Sequence, residues 1–299
     1  MTETLCIIGN GFDLHHRIRS SYKAFGEYLK SHDRDTYNVV ERHLGVGADF
    51  WAEFEKRLAD LDTDSVIDYA SSWLKSYGAE DWSDAYHHDY QYEIDRVVEA
   101  ILTTLRLRFG EWIRQLRIPD PSEIARTRLP VDGSATYLNF NYTPSLQRLY
   151  GVPDARILHI HGAAMDADAR LVLGHARQPE KNPDPYRFER NPEAADMRVV
   201  EGEGRIDGYF RETFKPTAEI IRDNAAFFGN LSPVGRIFVM GHSVSRVDHP
   251  YFREVIRNID AGRVTWKISY FDDLKALRER VAELSIAAHL VEFTRLTDF

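Results

Sequence analysis

Residues Leu5 to Tyr22 read LCIIGNGFDLHHRIRSSY, an apolar run that ends in two glycines one residue apart. Leu5, Cys6, Ile7 and Ile8 are continuously apolar, which predicts a short strand buried on both faces, as in a parallel sheet. Gly9 and Gly11 let the backbone turn sharply and come close to a ligand's phosphates, where a side chain would intrude. The ordinary dinucleotide fingerprint is incomplete. Leu14 occupies the third glycine position, and no acid closes a second strand about 20 residues on. Instead, Tyr22 to Lys30 predicts a helix with Tyr22, Phe25 and Leu29 on one face. The pattern therefore points to a nucleotide loop that is not a standard dehydrogenase site. Gly9, Asn10, Gly11, Phe12 and Asp13 are its candidate contacts, with Asn10 and Asp13 in a loop and able to grip a ribose or an amide.

Outward from this stretch, 299 residues with 43% hydrophobic content can bury a sizeable core. The expectation is one domain spanning residues 1–299. A net charge of -9 argues against a nucleic-acid partner, while a small anionic ligand can still be held by local amides. The single cysteine, Cys6, excludes an internal disulfide and suits a reducing compartment. MTETLCIIGNG has neither the positive charge nor the apolar length of a signal peptide. No run approaches the roughly 18 apolar residues of a membrane span. A soluble, cytoplasmic protein without membrane contact is expected.

Residues 35 to 118 lose strand signals and predict helices. One long helix is expected from the spacing of Ile94, Val97, Ile101, Leu105, Phe109, Trp112 and Leu116, closed by Pro119 and Pro121. This block reads as a helical insertion over the ligand crevice. WAEFE, from Trp51 to Glu55, reads as core aromatics with a solvated acid. Strand and helix alternate again from Ser134. Strands are expected at Ala135–Leu138, Arg156–Ile160, Leu171–Leu173, Arg236–Met240 and Val264–Tyr270. Helices are expected at Pro144–Tyr150 with Thr143 as N-cap, at Thr217–Phe228, around Tyr251–Ile259 and at Asp272–Leu284, and residues 175–200 read as a long loop. The fold class is α/β: a Rossmann-like open parallel sheet with a large helical insertion after the first strand–helix unit. Its ligands belong at the carboxyl ends of the strands.

IIGNGFDLHHRIRSSYKAF resembles the opening of the bacteriophage abortive-infection AbiH family. FNYT at Phe140–Thr143, HIHG at His159–Gly162 and GHSVSRVDHPYF at Gly241–Phe252 resemble later segments of that family in the same order. The family is in turn similar to sirtuin-like NAD-consuming domains. This resemblance implies an antiphage effector that hydrolyses the nicotinamide–ribose bond of NAD or a related nucleotide, with NAD as substrate and no metal. It implies Asn141 and His161 as catalytic residues. Gly9, Asn10 and Gly11 would accommodate the pyrophosphate, Asp13 the carboxamide or ribose, and Gly241 and Ser243 the ribose or phosphate. The aspartate that often follows the asparagine by two residues in the sirtuin-like pattern is Thr143 here. A homo-oligomer or a partner protein of a defence system is compatible with such a role.

Three alternatives stay open. HxH at His159 and His161, with His175 or Asp168 as third ligand, could hold a metal, although no CxxC or HExxH accompanies it. GHSVS resembles a serine nucleophile elbow centred on Ser243, but Ser245 replaces its last glycine and the helix starts late. A nucleotide-binding sensor or regulatory subunit would use the same loops without chemistry.

Overall fold

The computed structural model describes residues 3–45, 47, 50–166, 169–186, 193 and 195–299. Six strands form one open sheet: β1 Glu3–Ile8, β2 Thr136–Asn139, β3 Ile157–His159, β4 Val234–Met240, β5 Thr265–Tyr270 and β6 Val291–Arg295. Their order is β3-β2-β1-β4-β5-β6, and every pairing is parallel. Chain order reverses direction between β1 and β4. That is the switch point at which open α/β sheets bind ligands, outside the carboxyl ends of the strands.

Alternation along β1 divides the core into two faces. Leu5 and Ile7 pack with Leu138, Ile237, Val239 and Ile268, and with Tyr251, Phe252 and Val255 of the helix His249–Arg257. Cys6 and Ile8 pack on the other side with Phe12, Tyr137, Leu146 and Met240. The helix following β4 therefore lies on one face and those following β1 and β2 on the other, as a doubly wound sheet requires. Burial pushes the Cys6 thiol up to about 12, so it is an inert core residue.

The chain divides into two compact units. The sheet unit comprises residues 1–21, 110–172 and 216–299, and the helical unit residues 22–109 and 173–215. The sheet unit holds twenty acids and twenty Lys or Arg residues, so the entire formal charge of -9 resides in the helical unit. No helix among the described residues is long and apolar enough to cross a membrane.

Several local expectations need correction. Leu171–Leu173 is not a strand. Thr217–Phe228 is two helices, Thr217–Asp223 and Ala225–Gly229, meeting at Asn224. The long insertion helix is Asp89–Glu99 and Leu105–Gln115 joined by a π turn, Ala100–Thr104. The last four residues of the expected 175–200 loop instead belong to a helix, Met197–Glu212, whose three glycines mask its periodicity. Gly202 there lets the helix lie against Tyr90, since a Cβ would come 2.5 Å from that ring. The edge strand β6, only half buried, gave too little apolar signal to be anticipated.

Candidate functional site

The loops leaving β1 and β4 are knitted together beyond the sheet. Gly9 N donates to Met240 O at 3.1 Å and Gly11 N to Gly241 O at 2.8 Å. A Cβ on Gly9 would lie 2.6 Å from His242 Cα, and one on Gly11 2.8 Å from Gly241 Cα. Gly241 has φ +67, and its Cβ would meet Phe12 N at 2.1 Å. In this structure the glycines are required by the close approach of two loops. Gly241→Ala is expected to lower stability by about 2 kcal/mol, from left-handed strain and overpacking. A lower urea midpoint would show it, and an unchanged midpoint would contradict this packing.

Gly9 is followed at once by a helix, Asn10–His15, so Asn10 and Asp13 lie on helical turns and not in a loop. Asn10 and Ser20 make a reciprocal pair: Ser20 Oγ donates to Asn10 Oδ1 at 2.6 Å and Asn10 Nδ2 to Ser20 O at 3.1 Å. Phe12 is core. Asp13 is 0% exposed and accepts from Thr143 Oγ1 at 2.6 Å. This spends Thr143 on a contact other than the expected N-cap, and the helix Ser145–Tyr150 starts after Pro144 without a side-chain cap. His16 closes the segment. Its Nδ1 lies 2.7 Å from Phe12 O and its Nε2 2.7 Å from the Tyr150 hydroxyl, and burial pushes its pKa down to about 4, so it is neutral and structural.

Asn141 is 5% exposed. β2 has already ended at Asn139, so strand alternation does not orient Asn141; hydrogen bonds do. Asn141 N donates to Asn139 Oδ1 at 3.0 Å, and its Nδ2 donates to Gly9 O at 3.1 Å. Its Oδ1 accepts no hydrogen bond that meets standard geometry among the described residues. His159 ends β3 with Nδ1 2.9 Å from Asn141 O and Nε2 3.1 Å from Gln147 Nε2, so both its nitrogens are engaged. Burial lowers its pKa. His161 lies beyond the strand, so strand alternation does not set its imidazole on one face with that of His159. It is 4% exposed, with ring centroids 5.3 Å from Phe140 and 5.5 Å from Tyr251.

Phe140 also stands 4.3 Å from the ring of His242, which abuts Gly9. Gly9, His242, Phe140 and His161 thus form one continuous neighbourhood at the switch point. Val244 N donates to His242 Nδ1 at 2.9 Å, and His242 Nε2 lies 3.5 Å from Asp248 Oδ2. Neither His242 nitrogen is directed at Ser243. Ser243 is exposed, its carbonyl accepts from Arg280 Nε at 2.9 Å, and the helix begins only at His249. A strand–nucleophile–helix elbow is absent here.

Among the described residues, no group of three or more His, Cys, Asp or Glu side chains could hold a metal ion. Asp168 lies outside the described residues, and His175 bonds Thr213 Oγ1 through Nε2 at 3.0 Å. The family described as Bacteriophage abortive infection AbiH matches the chain over residues 5–270. The chain belongs to the AbiH family. No curated protein matches it. The AbiH match takes in β1 from Leu5 onward, β2 to β5 and all four motif segments, and stops before β6.

The helical unit of this AbiH chain holds a polar cluster that the sequence did not disclose. Glu55 of WAEFE is not a solvated acid. Its Oε2 lies 2.7 Å from Lys215 Nζ, and its Oε1 accepts from the Tyr22 hydroxyl. The Lys215 side chain is 1% exposed and that of Glu55 18%. Glu53, two residues away, is the solvated acid of the pair. Periodicity could not separate the two, because what buries Glu55 is a lysine 160 residues later.

Proposed function

We propose that this AbiH protein hydrolyses the nicotinamide–ribose bond of NAD, or of a closely related nucleotide, as the effector step of abortive infection. The observation that carries this reading is the convergence of Gly9–Asp13, Asn141, His161 and Gly241–Ser243 at the strand-order reversal of a doubly wound sheet. Two further facts support it. The sheet unit has no net charge to repel a pyrophosphate. The Asn141 amide nitrogen is committed to Gly9 O, which leaves its oxygen as an acceptor for a ribose hydroxyl or an attacking water.

The chemistry asks little of the protein. The bond breaks through an oxocarbenium-like state, by analogy with other glycosidic cleavages. Nicotinamide leaves neutral with the bonding electron pair, and no acid is needed. A water oxygen then bonds to the ribose carbon and gives up one proton to a base. His161 is assigned as that base or as the group orienting the ribose, and Asn141 as the group holding the water. The rings of Phe140 and Tyr251 beside His161 exclude bulk solvent. This is the sirtuin-like role expected from sequence, on this chain's own residues.

The test is incubation of purified protein with NAD, NADP, ATP and ADP-ribose, with products identified by mass spectrometry. Nicotinamide and ADP-ribose from NAD are expected. NAD recovered intact but bound would instead favour a sensor.

A further inference from the structure

Asp13 comes from the first helix and is inserted beneath the turn that carries Asn141. Its Oδ2 accepts the Thr143 hydroxyl at 2.6 Å, while its Oδ1 is buried and has no hydrogen-bond partner of good geometry. Ser145 Oγ is 3.3 Å from Thr143 Oγ1, and Thr143, Ser145 and Asn141 are all buried. A carboxyl oxygen left unsatisfied in the interior is costly, so stability alone does not account for an acid here. One Nδ2 hydrogen of Asn141 is used by Gly9 O; the amide has a second.

We propose that Asp13 is a positioning residue for Asn141: as a carboxylate it holds the Thr143 hydroxyl and draws the second Asn141 amide hydrogen toward Oδ1, and on protonation it lets that amide go. The inference rests on the reading that Asn141 serves the ligand, and it concerns a device inside that site, not a ligand contact. Burial is the largest influence and pushes the Asp13 carboxyl up from 3.8 to about 6, while the polar side chains of Ser145, Thr143 and Asn141 beside it act in the opposite sense. The titratable or charged groups on the surrounding elements are His15 and His16 on its own helix, Arg148 and Tyr150 on the helix after β2, His159 at the end of β3, His161 just beyond it, and His242 after β4. None of them contributes to that shift.

A carboxyl raised in the fold contributes stability that is full below about 3.8 and lost as pH rises through about 6. The positioning grip runs the other way, present above about 6 and lost below. Opposite slopes for stability and for Asn141 ordering are the signature, and a purely structural acid would not give both.

The experiment follows the Asn141 side-chain amide resonance by NMR between pH 5 and 8, in the parent, Asp13→Asn and Thr143→Val. Urea unfolding and NAD turnover are measured alongside. In the parent the resonance should titrate near pH 6, and the folding constant should gain about tenfold from pH 8 to pH 5 relative to Asp13→Asn. Asp13→Asn should abolish the titration. Thr143→Val, which removes one donor to the carboxylate, should move it to higher pH. If NAD is cleaved, kcat should fall below pH 6 in the parent with KM little changed, and Asp13→Asn should stay at the low value throughout. An Asn141 resonance that ignores pH, or that titrates equally in Asp13→Asn, overturns the proposal. A titrating resonance in a protein that leaves NAD intact overturns the NAD reading and leaves this coupling standing.

Discussion

Glu55→Ala is expected to destabilise the protein by about 3 kcal/mol, within the range of about 3–5 kcal/mol for removing one partner of a buried ion pair. The cause is Lys215. Its ammonium has been taken out of water, and it is ion-paired to Glu55 Oε2 at 2.7 Å. Removing the carboxylate leaves a desolvated cation and also takes away the acceptor of the Tyr22 hydroxyl. The lower end of the range applies because Glu55 retains 18% exposure and water can enter in part. Urea unfolding monitored by the five tryptophans would read the loss directly. Combining Glu55→Ala with Lys215→Met should recover part of it, since no charge is then stranded. A loss under about 1 kcal/mol would mean that the pair is effectively solvated.

Much of the sheet was legible because each central strand is a short apolar run bounded by glycine, proline or a polar turn. The buried tetrad Leu5–Ile8 and the run Ile237–Met240 are such cases. β6 was not legible, since an edge strand with a solvated side lacks that signal. The helix Met197–Glu212 was hidden for another reason: Gly202, Gly204 and Gly208 read as loop, yet Gly202 is what its contact with Tyr90 requires. The site was legible as a set of motifs and not as a set of bonds. Pattern could nominate Asn141 and Asp13 together. It could not show that Thr143 ties the turn after β2 to the helix after β1, or that the glycines meet one another across the switch point.

Replacing His161 by glutamine is expected to lower NAD turnover by roughly 10²- to 10⁴-fold, the range for a positioned acid–base group. Glutamine is preferred to alanine because the imidazole is packed against Phe140 and Tyr251, and truncation would open a cavity among those rings. The amide fills similar space and can still hydrogen-bond, but it cannot take up a proton at neutral pH. KM should change little if His161 acts mainly as the water reaches the ribose carbon. Ser243→Ala, on an exposed loop carrying no elbow, should weaken binding modestly and leave turnover of bound NAD intact. The most direct measurement is the rate of nicotinamide release from NAD by the parent and by His161→Gln, each verified as folded by its urea midpoint. Release by the parent, reduced at least 100-fold in a variant with a near-parental midpoint, is the predicted result. No release by the parent, or equal release by both, would contradict it.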